Sequence, residues 1–203
     1  MSPPALFPAD WIRTTDEAAD DLELAVLLVN SLDQLSDPAD RLTTIDWFTA
    51  VLAATGHAEQ SAALRPADVP ALRVLREGLQ ATFTAGTAEA AAAALNPLLL
   101  AAQAIPVLVV AGPDDDAARA VAPDAAGAAA LAARLPAAVA GFIAQQGLRR
   151  LGSCAARPCT CVYVDRSRAA NRRYCCDQCN DRAAASAYRK RQSMPYMIPT
   201  PRA

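Results

Sequence analysis

The sequence predicts a mainly α-helical (α+β) protein, with a helical N-terminal domain that carries one small β-hairpin and a separate, cysteine-rich C-terminal domain. Hydrophobic residues make up 53% of the 203 residues and aromatic residues only 5%. Much of the hydrophobic content is alanine, which favours helix and buries little area per residue. All six cysteines lie between Cys154 and Cys179. The charges are also divided unequally between the two parts.

The charge distribution predicts where the two parts meet. Residues 1–148 hold 7 basic and 18 acidic residues, a net charge of −11, whereas residues 149–203 hold 12 basic and 3 acidic residues, a net charge of +9. Such polarity indicates two modules with different partners. We expect the helical domain at 1–148, the cysteine-rich domain at 149–192 and a flexible tail at 193–203.

Helical spacing and stop signals predict the first helices. Apolar residues recur with the spacing of one helix face between Leu24 and Leu32. The segment TTIDWFTAVLAATG predicts a second helix, because Thr44 can cap its start and Gly56 can end it. The segment ADVPALRVLREGLQATF predicts a third, capped by Asp68.

The rest of the N-terminal domain is predicted as helix, hairpin and helix. One helix begins at Thr87 and is kinked or restarted at Pro97. The β-branched segment 105–110 predicts a strand, and residues 117–121 predict the strand that pairs with it. Pro123 opens a long alanine-rich helix that ends at about Gly147.

Several function classes are not expected. The first residues lack the basic and apolar regions of a signal peptide, and no strongly apolar run reaches the 20 or so residues that span a bilayer. We therefore expect a soluble cytoplasmic protein with no membrane partner. Nucleotide-binding and nucleophile-elbow motifs are absent from the sequence, and the single histidine, His57, is interpreted as a loop residue. We expect no enzymatic activity and no catalytic residues.

The cysteine spacing predicts one zinc site. Cys154-x4-Cys159 is followed by 15 residues and then by Cys175-x3-Cys179. Two short cysteine pairs at such a separation are typical of a tetrahedral Zn²⁺ site, because each pair bends around the metal and the intervening segment brings the pairs together. Four thiolates fill the coordination sphere, so the predicted cofactor is a single structural Zn²⁺.

Two cysteines exceed the four ligands that zinc takes. Cys161 and Cys176 are interpreted as the surplus thiols, although the spacing alone also allows Cys161 to replace Cys159, or Cys176 to replace Cys175. A redox function is less favoured, because the only Cys-x-x-Cys, at Cys176–Cys179, has no βαβ context.

The stretch 154–182 resembles the CGNR-type zinc finger of a bacterial family of transcription regulators. The matching residues, in order, are Cys154, Cys159, Tyr163, Asp165, Ser167, Arg172, Arg173, Tyr174, Cys175, Cys179 and Arg182. The chain departs from the pattern where Cys179-Asn180-Asp181-Arg182 stands for Cys-Gly-Asn-Arg, and its second cysteine pair is one residue shorter. The resemblance implies that Cys161 and Cys176 are not ligands.

The resemblance extends upstream to the family's helical ABATE-like domain. LAVLLVNSLD followed by DRLTTIDWFTAVLAATG is similar to its N-terminal part, and Asn30-Ser31 matches an Asn-Ser pair there. The resemblance implies a transcription regulator whose finger binds DNA and whose helical domain senses a small-molecule effector or forms a homodimer.

Basic residues follow the cysteines closely. In a treble-clef-like zinc finger, which is the predicted C-terminal fold, a helix begins at the second ligand pair, and NDRAAASAYRKRQ fits that helix. With zinc bound, the +9 of residues 149–203 falls to about +7, which suffices to neutralise several phosphates. The candidate DNA-binding residues are Arg166, Arg168, Arg172, Arg173, Arg182, Arg189, Lys190 and Arg191. The alternative is a finger that docks on a protein partner or on its own acidic domain instead of DNA.

Overall fold

A computed structural model of the protein describes residues 8, 11, 20–110, 117–121 and 125–192. The predicted flexible tail, 193–203, lies outside the described residues. Within them the chain is mostly helical, as predicted. The helices are α1 (Asp21–Val29), α2 (Asp46–Ala54), α3 (Ala58–Ala63), α4 (Val69–Phe83), α5 (Ala88–Ala101), α6 (Gly127–Gln146) and α7 (Asp177–Gln192). The strands are β1 (Pro106–Val110), β2 (Ala117–Val121), β3 (Leu151–Ser153) and β4 (Val162–Val164).

Helix α1 is the central helix of the N-terminal domain. Every residue from Leu22 to Val29 is buried, including Glu23. A helix that is apolar on almost all sides must be covered on all sides, and α1 packs against α2, α4, α6 and β4. Its start is fixed by a capping box, in which Asp20 accepts from the Glu23 N–H at 2.8 Å and Glu23 accepts from the Asp20 N–H at 3.2 Å. Leu32 lies beyond the helix end, so its predicted place on the helix was wrong.

Helices α4, α5 and α6 complete the core around α1. Helix α4 contributes Leu72 and Leu79, and α6 contributes Leu131, Leu135 and Val139. Among the described residues α6 is the one helix long and apolar enough to cross a membrane. Because its three named side chains are fully buried at four-residue spacing, α6 has the pattern of a core helix.

The predicted helix ends were partly right. The Thr87 side chain caps α5 by accepting from the Ala90 N–H at 3.2 Å. Thr44 does not cap α2. The N-cap position is occupied by Ile45, and the Thr44 hydroxyl instead donates to the carboxylate of Asp46 at 3.1 Å. Helix α5 continues through Pro97 and is not restarted there. The short helix α3 was not predicted, because six residues carry too little apolar pattern.

Asp68 does not cap α4 as predicted, although the helix begins immediately after it. Its carboxylate accepts from the N–H of Arg65 at 2.8 Å and makes no capping bond to α4. It thereby closes the short 3₁₀ turn at residues 66–68 that leads into the helix.

The two β-hairpins lie in different parts of the molecule. Strands β1 and β2 pair antiparallel, with Pro106 opposite Val121 and Val110 opposite Ala117, which confirms the predicted hairpin. Strands β3 and β4 pair antiparallel in the cysteine-rich domain. Both β3 and β4 contact α4, and β4 also contacts α1, so the cysteine-rich domain rests on the helical core.

Candidate metal centre and basic surface

Four thiols converge beside the second hairpin. Cys154 follows β3, Cys159 precedes β4, Cys175 precedes α7 and Cys179 lies in the first turn of α7. All four are buried, and their Sγ atoms lie within 4.8 Å of one another. The Sγ atom of Cys175 is 3.7 Å from that of Cys159 and 3.6 Å from that of Cys179. A regular tetrahedron with Zn–S distances of about 2.3 Å has S–S edges of about 3.8 Å, so the spacing fits one zinc ion.

Backbone hydrogen bonds shape the two cysteine turns. The N–H of Cys159 donates to the carbonyl of Ala156 at 2.9 Å. The N–H groups of Cys179 and Asn180 both donate to the carbonyl of Cys176 at 3.1 Å. The thiols are therefore held by local turns, as the spacing predicts.

The electrostatics of the cluster call for a cation. Hydrogen bonds from Cys161 and Cys175 lower the pKa of the Cys159 thiol to about 2, so one thiolate forms readily. The pKa values of two neighbouring thiols move in the opposite direction: hydrogen bonding to Cys159 raises the pKa of Cys175, and burial raises the pKa of Cys179. A bound dication favours the charged form of these thiols. Arg182 adds a hydrogen-bond donor 3.1 Å from the Cys179 sulfur. Cys154, Cys159, Cys175 and Cys179 thus form the donor set of one structural Zn²⁺, whose four thiolates leave no open position for a substrate.

Cys161 and Cys176 lie directly beside this group. Both are buried. The Cys176 sulfur is 3.7 Å from the Cys175 sulfur, and Cys161 lies within 4.8 Å of Cys159 and of a carboxylate oxygen of Asp33. The sulfurs of Cys161 and Cys176 are not part of the four-thiol group, as the ligand count predicts.

A buried aspartate, Asp165, organises the loop between the two cysteine pairs. Asp165 accepts from the N–H groups of Ser167 at 2.8 Å and Arg172 at 2.7 Å. Burial alone would raise the pKa of Asp165, but the hydrogen bonds from these residues outweigh it and keep the pKa below its ordinary value. The carboxylate therefore stays charged and shapes the loop.

The Arg172 side chain turns into the finger instead of pointing to solvent. Its guanidinium donates to the carbonyl of Tyr174 at 2.9 Å and to the carbonyl of Cys175. It also lies 5.4 Å from the ring centroid of Tyr163, whose hydroxyl donates to the Arg172 carbonyl at 2.6 Å. These contacts fix the main chain immediately before the zinc-ligating Cys175.

The helical domain holds the finger through Asn30. The Asn30 amide donates to the carbonyl of Val162 at 3.0 Å and accepts from its N–H at 2.7 Å. Asn30 is fully buried at the C-terminal end of α1. Asn30 thus pairs with β4 as a neighbouring strand would. Asn30 matches the family pattern in the sequence, but its contact with Val162 was not predicted.

A second buried network supports the same end of α1. Arg76 of α4 binds both carboxylate oxygens of Asp40, at 2.6 and 3.2 Å, and donates to the Ser31 hydroxyl at 3.0 Å. Hydrogen bonding to Arg76 lowers the pKa of Asp40. This network was not predicted from the sequence, because neither Arg76 nor Asp40 stands in a motif.

The eight candidate DNA-binding residues fall into two groups. Three hold other parts of the molecule: Arg166, although exposed, pairs with Asp20 of the helical domain at 2.7 Å, and Arg172 and Arg182 bind within the finger. The other five are exposed, two in the loop before Cys175 and three in the last turn of α7, and Arg173 also lies 5.7 Å from the ring centroid of Tyr174. These exposed basic residues are Arg168, Arg173, Arg189, Lys190 and Arg191. Nucleic-acid contact by any of the eight stays a prediction.

Comparison with known families agrees with this architecture. A family model for the CGNR zinc finger matches residues 150–192. The ABATE family model, described as "Putative stress-induced transcription regulator", matches residues 22–146, which is more than half of the chain. No curated protein matches the chain. The protein therefore belongs to the ABATE family and carries a CGNR zinc finger after its helical domain.

Proposed function

We propose that this regulator binds DNA through the exposed basic residues of its zinc finger. The observation that carries the proposal is the exposure of α7. Only Cys179 is buried among its 16 residues, and its last turn carries Arg189, Lys190 and Arg191. A helix that is polar all round gains little from the protein's own core, and here its first turn is anchored by a zinc ligand. Its remaining length is available to a partner.

The charge of the finger favours a phosphate backbone as that partner. Residues 149–192 contain 11 basic and 3 acidic residues, a net charge of +8. Four thiolates and one Zn²⁺ reduce this to about +6. Arg168 and Arg173 extend the exposed charge beyond α7 to the loop before Cys175. Such a concentration of arginine suits both phosphate contacts and guanine edges.

The helical domain is proposed to have a function other than DNA binding. Its acidic composition disfavours DNA, so it senses a small-molecule effector or mediates homodimer formation. Because the four thiolates close the metal site, the zinc is structural, and the protein is proposed as a regulator without enzymatic activity.

A protein-docking finger is the second candidate function. It is favoured by the Arg166–Asp20 ion pair and by the Asn30–Val162 hydrogen bonds, which seat the finger on the acidic domain. These contacts involve β4 and Arg166, whereas the exposed basic residues belong to other positions. Docking on the helical domain and binding of DNA are therefore compatible.

The experiment that tests DNA binding compares charge variants of the zinc-loaded full chain. Binding to a mixed-sequence fluorescent duplex is measured by anisotropy at low salt. The combined Arg189→Gln, Lys190→Gln and Arg191→Gln variant is expected to weaken binding at least tenfold. Arg65→Gln, an exposed arginine of the helical domain, serves as the control and should leave affinity unchanged. Equal binding by the triple variant and the wild type would reject the proposed surface.

A further inference from the structure

A second group of metal-binding atoms adjoins the structural zinc site. A carboxylate oxygen of Asp33 and the sulfurs of Cys159 and Cys161 all lie within 4.8 Å of one another. We propose that these three residues hold a second thiophilic dication, which shares the Cys159 thiolate with the structural zinc. The site is additional to the structural zinc site, because Cys161 exceeds the four thiols that the structural zinc requires.

The group is enclosed and positioned. Cys161 is 1% exposed, Cys159 6% and Asp33 9%. They line a pocket of about 260 Å³ together with Cys175 and Arg182. An ion in this pocket is shielded from solvent on several sides, and the pocket leaves room for water or the Cys175 sulfur as the fourth ligand that Zn²⁺ takes.

The Asp33 carboxylate is held in place without being saturated. One oxygen accepts from the Leu35 N–H at 3.0 Å and the other from the Ser36 hydroxyl at 2.7 Å. Each carboxylate oxygen can accept two bonds, so each retains a lone pair for a metal. Such anchoring orients a metal ligand in the way that outer hydrogen bonds do in known sites.

Hydrogen bonds fix the main chain that carries the Cys161 thiol. The Cys161 carbonyl accepts from the Cys154 N–H at 2.8 Å, and the next residue, Val162, is bound by Asn30. Because Asn30 and Asp33 both follow from the end of α1, the helical domain places the carboxylate and the finger places the thiols. The second site therefore joins the two domains.

Charge balance permits two dications. Five thiolates and one carboxylate carry −6, and two dications reduce this to −2. The guanidinium of Arg182 lies 3.1 Å from the Cys179 sulfur, and that of Arg41 lies 3.9 Å from an Asp33 oxygen, which supplies +2. Two or three thiolates with one carboxylate favour Zn²⁺ or Cd²⁺ over Mg²⁺ or Ca²⁺. Binding requires that Cys161 lose its proton, which passes to the solvent.

The test uses the metal-free full chain, loaded anaerobically with excess ¹¹³Cd²⁺ and then desalted. Elemental analysis is expected to give two cadmium ions per chain. Cadmium NMR is expected to show two resonances, one from a four-thiolate site and one from a mixed sulfur and oxygen site, coupled to each other through Cys159. A single ion and a single resonance in the wild-type protein would overturn the proposal.

Variants locate the second ion. Cys161→Ser and Asp33→Asn should each retain one ion and the four-thiolate resonance, which also reports that the finger is folded. Cys176→Ser is the control, because it removes the other surplus thiol, which is also buried but is not among the three proposed ligands, and it should retain both ions. Retention of two ions by both Cys161→Ser and Asp33→Asn would reject these ligands, as would loss of the second ion from Cys176→Ser alone.

Discussion

Asn30 and Val162 lie 132 residues apart in the chain and are joined by two buried hydrogen bonds of 3.0 and 2.7 Å. The amide of one side chain thereby satisfies both main-chain groups of Val162, the first residue of β4. This relationship explains how a finger with a short hairpin is held in a fixed position on a helical domain. Its loss would leave buried polar groups without partners.

Asn30→Ala is therefore expected to destabilise the protein. Each buried group left unsatisfied costs about 1–3 kcal/mol, so the free energy of unfolding should fall by at least that amount. Urea unfolding followed by circular dichroism measures the change. Asn180→Ala, at an exposed position of α7, is the control and should stay within about 0.5 kcal/mol of the wild type. Equal stability of the two variants would show that Asn30 does not hold the finger.

Arg172→Lys should loosen the zinc site although it keeps the charge. Lysine cannot reproduce the planar fork that binds the carbonyls of Tyr174 and Cys175 at once. Zinc release to a chromogenic chelator is expected to be several-fold faster than in the wild-type protein. Arg173→Lys, at the adjacent exposed position, should release zinc at the wild-type rate. If both variants behaved alike, Arg172 would have no special function in the finger.

Gly152→Ala tests the packing between the two strands of the finger. A Cβ atom at position 152 would lie 2.7 Å from the hydroxyl oxygen and 2.8 Å from Cζ of Tyr163. The ring, which contacts Arg172, must then shift, and this should cost about 1–3 kcal/mol. Gly86→Ala is the matched control, because no atom lies within 4 Å of its added Cβ. Thermal unfolding should show a lower Tm for the first variant only, and an unchanged Tm there would contradict the packing described.

The Asp40–Arg76 pair predicts a pH dependence of stability. Hydrogen bonding to Arg76 lowers the pKa of Asp40 in the folded state, so the carboxylate stabilises the protein above its ordinary pKa of about 3.9. This contribution is lost as the pH falls through the lowered value. Asp40→Asn should be less stable than the wild type at pH 7, and the difference should shrink towards pH 3. A difference that is independent of pH would contradict the ion pair as its source.

The sequence predicted the parts of the molecule that depend on local spacing. The zinc-binding thiols lie in short turns, and β1 pairs with β2 as predicted. Residues close in sequence determine both the turns and the hairpin. Contacts between distant residues were not predictable. Asn30 reaches Val162 and Arg76 reaches Asp40 only after the helices have packed.

The basic residues show the same limit more sharply. Composition alone made Arg168 and Arg172 equivalent, but the structure exposes the first and turns the second toward the carbonyls before Cys175. A charge count cannot distinguish these functions, because the distinction depends on the path of the loop that Asp165 organises. The structure therefore sets Arg166, Arg172 and Arg182 apart from the other candidates by their contacts within the molecule.

The salt dependence of DNA binding by the zinc-loaded full chain shows whether the exposed basic residues bind the phosphate backbone. If the exposed basic residues neutralise phosphates, the logarithm of the association constant should fall linearly with the logarithm of salt concentration, with a slope of about −0.9 for each phosphate contacted. If Arg168, Arg173 and the three basic residues of the last turn of α7 contact phosphates, we expect a slope of about −3 to −5. Absence of binding at low salt, or an affinity that does not respond to salt, would contradict the account.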